Sequence, residues 1–181
     1  MIPELGHFSL ILALLLAVVQ GTLPLVGAHR RIPAWMALAR PAATGQFLFV
    51  LFAWFCLALS FVGNDFSVLN VATNSNSQLP LQYRIAASWG SHEGSMLLWV
   101  LMLSGWGVAV AMWSRHLPDE MVARVLGVIG IVAVGFLLSS AGWVSLAGAA
   151  ALLLVRSPLV AAGLAGTFLP LLPVMQLVPV G

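Results

Sequence analysis

The chain has 181 residues, 61% of them hydrophobic and 7% charged, against about 25% charged in an ordinary soluble domain. That composition excludes a water-soluble globular fold and predicts an all-α integral membrane protein. The net charge of +2 sets seven arginines, scattered between apolar runs, against five acidic residues. With no basic stripe or nucleic-acid-binding motif among them, nucleic acid is excluded as a partner.

The N-terminal run "MIPELGHFSLILALLLAVVQGTLPLVG" has no basic leader and is too long for a signal core, so it reads as a retained helix. A span needs about 20 apolar residues to cross roughly 30 Å of hydrocarbon. Four segments meet this plainly: Leu5 to Val26, Ala43 to Val62, Ser95 to Trp113, and Val125 to about Leu146. A fifth span over Leu159 to Val180 is expected despite Pro170, Pro173 and Pro179, each of which removes a backbone donor. Gln20, Thr22 and Pro24 in the first span predict packing against protein, since lipid cannot satisfy freed polar groups.

With five spans and the N-terminus outside, Arg30, Arg31, Arg40, Arg115 and Arg124 fall inside, and Arg84 and Arg156 outside. This is the bias the positive-inside rule requires. The long connection from Gly63 to Ser91 is then external. Within it "FSVLNVA" reads as a short strand and "TNSNSQLP" as turns. Leu81, Ile85 and Trp89 share one face of an amphipathic segment lying on the outer surface.

The segment "ASWGSHEGSMLLWVLMLSGWG" places a histidine and a glutamate at the mouth of the third span. His92, Trp99, Trp106 and Trp113 recur every seven residues, and a helix carries such residues in one column that drifts by only about 20° per step. Trp89 and Met96 lie near the same face. Two readings stand side by side. A histidine over stacked aromatics suits a flat conjugated ligand such as haem or a quinone, with His92 as an axial ligand and Trp89, Trp99 and Trp106 as walls. Alternatively Ser91 caps the helix, Glu93 meets its dipole, and Trp89 and Trp113 are belt residues at the two interfaces. The residues alone favour the second, although an ionisable pair at a membrane face marks a functional candidate.

No metal site is expected. Position 96, where a zinc-binding H-E-x-x-H would need its second histidine, is methionine, and Cys56 is the single cysteine. His7 reads as interfacial, while His29 and His116 sit in the basic loops.

Three stretches, "MIPELGHFSLILALLLAVVQG", "NDFSVLNVATNSNSQLPLQYRIAASWGSHEGSMLLWVLMLSGW" and "SRHLPDEMVARVLGVIGIVAVGFLL", closely resemble the amino-terminal part of the CcmF/NrfE family of cytochrome c-type biogenesis proteins. The resemblance covers about residues 1–138 and divides the chain into that transmembrane region and an apolar tail, 139–181, that matches nothing in the family. Ser91 stands where the family usually has glycine, followed by the family's His92, Glu93, Gly94 and Ser95.

The resemblance implies a multi-pass protein of the bacterial inner membrane, with a periplasmic N-terminus, acting in haem handling and haem ligation to apocytochrome c. It also implies partners: a membrane-anchored haem chaperone, an apocytochrome c thiol-handling subunit and apocytochrome c itself. The family's W-G-G-x-W-x-W-D segment and its haem-holding histidines follow the matched region, so no family haem ligand falls on a residue of this chain. The expectation is therefore a truncated or split haem lyase subunit. Its rivals are a non-enzymatic scaffold that docks maturation partners and a quinone- or small-molecule-binding membrane subunit.

Overall fold

The computed structural model describes residues 2–140. In chain order these form α1 (Ile2–Arg30), α2 (Pro33–Ala37), α3 (Ala39–Val62), α4 (Leu69–Asn74), α5 (Leu81–Gly90), α6 (His92–Trp113) and α7 (Asp119–Ser140). Four helical stretches, 2–30, 33–62, 92–113 and 119–138, are long and apolar enough to cross a membrane. They match the four expected spans, each helix running some residues beyond the apolar run that predicted it. The tail proposed as a fifth span, and the end of the fourth at Leu146, lie outside the described residues.

The four long helices run up and down in a closed ring: α1 packs on α3 and α7, and α6 completes it against α3 and α7. Lipid is as apolar as leucine, so close backbone approach rather than water exclusion must hold such helices together. The α1–α7 seam shows how. Ala13, Ala17 and Ala133 are fully buried in one apolar cluster, and Ala28, Ala123 and Leu126 in another nearer the other end. At Gly130 a Cβ would stand 2.7 Å from the backbone nitrogen of Gly21, so glycine is required for the two backbones to meet. Gln20, fully buried, donates from Nε2 to the Leu126 carbonyl at 2.7 Å across this seam. Gln20 and Pro24 are thus packed against protein as expected. Thr22 is exposed and instead bonds its own helix at Val18.

One end of the bundle carries α2 and the α6–α7 turn, and with them Arg30, Arg31, Arg40, Arg115 and Arg124. Arg40 donates to the Ser114 carbonyl at 3.3 Å and pairs with Asp119 at 3.6 Å, joining the starts of α3 and α7 to the end of α6. Asp119 and Glu120 occupy the first turn of α7, where the helix dipole favours acid; this explains why the helix begins before the apolar run does.

The other end carries the 63–91 connection. The strand expected over "FSVLNVA" does not form: its first residues are turn and Leu69–Asn74 is helix. A strand needs a neighbour to pair with, and the described residues contain none. Asp65 begins this turn, accepting from the Ser67 hydroxyl and backbone N–H, and these bonds hold its carboxyl below the usual range. Arg84 anchors the connection, donating from Nη1 to the last-turn carbonyl of α3 at Val62 (3.1 Å) and from Nε to Leu79 (2.8 Å).

Candidate functional site at the corner between α5 and α6

The His-Glu motif sits on a sharp corner. Helix α5 ends at Gly90, Ser91 turns the chain with extended backbone, and α6 begins at His92. The Ser91 hydroxyl accepts from the Gly94 N–H at 3.0 Å, which is the cap expected from the sequence. The corner closes because Gly94 has no side chain: a Cβ there would lie 1.9 Å from the Ser88 carbonyl oxygen. Ser88 is itself fully buried and bonds back to Ile85. Glycine and two serines thus fold α5 onto the head of α6, and the histidine and glutamate are what the corner presents.

They are presented in different directions. Successive helical residues diverge by about 100°, and no hydrogen bond joins Glu93 to His92. His92 is exposed, as are Trp99, Trp106 and Trp113 below it; the column points away from α1, α3 and α7, while Leu97, Val100, Ser104 and Gly107 fill the bundle side of α6. Trp89 is exposed at the end of α5, with Leu81 and Ile85 on the same stripe. That stripe is not what binds α5 to the bundle. Arg84 and the buried Ser88 do so, leaving the apolar stripe outward, as a segment lying on a membrane surface requires.

Glu93 turns the other way, into a groove of about 610 Å³ between α1, α3, α4 and α6. His7, Ser60, Asn70 and Thr73 contribute to its polar lining, and Leu10, Cys56 and Leu97 to its apolar lining. Nothing in the spacing of the sequence brings His7 to Glu93; the antiparallel packing of α1 and α6 against α3 does. Of the remaining histidines, His29 and His116 are exposed at the arginine-rich end. The described residues contain no cluster of three or more His, Cys, Asp or Glu able to hold a metal ion.

No family model matches the chain. It is 61% identical over 138 residues to the cytochrome c-type biogenesis protein CcmF of Pseudomonas aeruginosa and 51% identical over 138 residues to that of Escherichia coli, covering 76% of this chain in each case. A solved cytochrome c haem lyase CcmF superposes on 80% of this chain with a TM-score of 0.72 and 26% identity. Over its N-terminal three-quarters the chain belongs to the CcmF/NrfE family. The chain spans 21% of the length of the two CcmF relatives and 23% of the solved one.

Membership of the CcmF/NrfE family makes haem the ligand to test against the described residues. The α6 column supplies one imidazole and a row of separate, exposed indoles on a convex helix face, with no second imidazole and no opposing wall among the described residues. The groove supplies His7, but its lining carries the Glu93 carboxylate, a poor neighbour for the carboxylates of haem. The described residues do not by themselves fit haem at either place.

Proposed function

We propose that this chain is a membrane component of cytochrome c maturation and forms the front portion of a haem lyase subunit. The observation that carries this reading is the identity of 61% over 138 residues with a CcmF, a stretch that spans 76% of the chain. In this reading the arginine-rich end faces the cytoplasm of a bacterial inner membrane, and the α5–α6 corner, the groove and the N-terminus face the periplasm, where the haem chaperone, the thiol-handling subunit and apocytochrome c would be met. Residues 1–138 are the family region and 139–181 a separate tail.

What the residues do follows from their placement. Ser91, Gly94 and Ser88 fix the corner, Glu93 charges the groove, and His92 heads an outward column that becomes one wall of a site once further chain is set against it. Haem ligation needs that further chain. A chain that only docks maturation partners is the second reading, favoured by the outward direction of the column. The test is a strain lacking its own CcmF, given either this chain or a chimera in which residues 1–138 replace the matching stretch of the P. aeruginosa relative. Covalent haem on cytochrome c should return with the chimera and stay absent with this chain alone. A chimera present at normal abundance that restores none would overturn the proposal.

A further inference from the structure

The outward faces of the four long helices are not alike. On α1 the exposed residues include Leu5, Phe8, Leu15 and Val18, on α3 Leu48, Phe52, Phe55 and Leu59, and on α7 Val125, Val128, Ile131 and Val132. These are ordinary lipid-facing side chains. Only α6 carries indoles there: Trp99 is 60% exposed, Trp106 69% and Trp113 75%, with Met102 at 56% on the same stripe. Every tryptophan exposed among the described residues lies on α5 or α6, whereas Trp35 and Trp54 are half-buried.

Depth separates these tryptophans from a lipid belt. Belt residues lie at the two interfaces, where the indole N–H meets water and headgroups. At 1.5 Å per residue, Trp99 lies about 10 Å and Trp106 about 21 Å along α6 from His92, so both fall within the hydrocarbon. Lipid tails offer their N–H groups no acceptor there. A neighbouring helix does, through a side chain or a polar backbone group, and the flat rings need close packing to use their area. The relatives extend for about four-fifths of their length beyond what this chain spans, so chain able to supply such a helix exists in the family.

We infer that the outward column of α6, centred on Trp99, Met102 and Trp106, is the seam at which a further membrane-spanning helix docks, supplied by the part of a CcmF that lies beyond the matched region. The seam is an interface buried in the complete lyase. The aliphatic faces of α1 and α7 stay in lipid. The inference rests on the reading of this chain as the front portion of a haem lyase subunit and sharpens it, because it states which helix joins that portion to the rest.

The test places photoreactive benzoylphenylalanine at Trp106, and as a control at Val128, in the chimera described above. Illumination in native membranes should link position 106 to chain beyond residue 138 and position 128 to lipid. Lipid adducts at both positions, or a link from 106 to a separate protein, would overturn the inference. In this chain alone, 106 should also meet lipid; a link to residues 141–181 would overturn it by naming another occupant.

If the chimera fails to accumulate, the photoreactive residue goes into the P. aeruginosa relative at the position aligned with Trp106, with the same two outcomes. Trp99→Leu with Trp106→Leu should cut cytochrome c yield about tenfold, as removal of buried aromatic anchors does, while Val128→Leu leaves it unchanged. Cytochrome c yield with lipid at 106 would sink the seam and leave the proposed function standing. A link at 106 in a chimera of normal abundance that makes no cytochrome c would do the reverse.

Discussion

The two ends of the bundle turn helices around with a different share of ion pairs. At the α2 end charged side chains do much of the work: the part-buried Arg40 donates to the Ser114 carbonyl and pairs with the exposed Asp119, and Arg124 pairs with Glu120 one turn away. At the α5 end it is done by groups committed to backbone: Gly94 admits the Ser88 carbonyl, Ser91 caps α6, and Arg84 closes the last turn of α3. Exposed ion pairs gain little over solvation by water, so losing the acidic partners Asp119 and Glu120 should be tolerated. A backbone group stripped of its partner near a membrane face has little to replace it, so losing such partners at the α5 end should not.

Substitutions ranked by expected effect test this contrast. Gly94→Ala is the most severe, because its methyl cannot share space with the Ser88 carbonyl and one of the two helices must move. Membrane abundance should fall sharply, and wild-type abundance with an unchanged melting temperature would show that the corner can flex. Arg84→Gln removes the charged donor to the Val62 and Leu79 carbonyls. Losing such charge-assisted bonds should cost about 2 kcal/mol, read as a lowered midpoint in detergent-induced unfolding. Arg84→Lys should recover part of that loss.

Smaller effects follow at the cap and at the far end. Ser91→Ala should cost about 1 kcal/mol, while Ser91→Gly should cost only a few tenths. Equal losses in the two variants would mean that the hydroxyl does something besides capping. Smallest of all is Asp119→Asn, which weakens the exposed pair with Arg40 and should shift stability by no more than about 0.5 kcal/mol. A loss as large as that of Arg84→Gln would erase the difference between the two ends.

Much of this contrast was legible in the sequence. Ser91 before a helical run marks a cap, and the arginines sort to one end because the spans alternate. The role of Arg84 was not legible, since no local pattern says which carbonyl a loop arginine will reach, and it read only as a charge. The motif glycine at 94 was visible as a motif, but its reason is the Ser88 carbonyl, which only the corner brings there. "FSVLNVA" failed as a strand because β-branched and apolar residues express a preference that needs a pairing partner. The column of His92, Trp99, Trp106 and Trp113 was legible as a column but not as an outward one.

That last limit is general to spans. Sequence alone determined how many helices cross among the described residues, roughly where they begin and which charges share an end, because these follow from run length and from the high cost of placing charge in hydrocarbon. Tertiary structure alone decided which face of each helix is inside, that Glu93 shares a groove with His7, and that the indoles of α6 face out. In water a buried face announces itself by being apolar. In lipid both faces are apolar, so direction is set by where small residues such as Ala17, Gly21, Gly130 and Ala133 let two backbones approach.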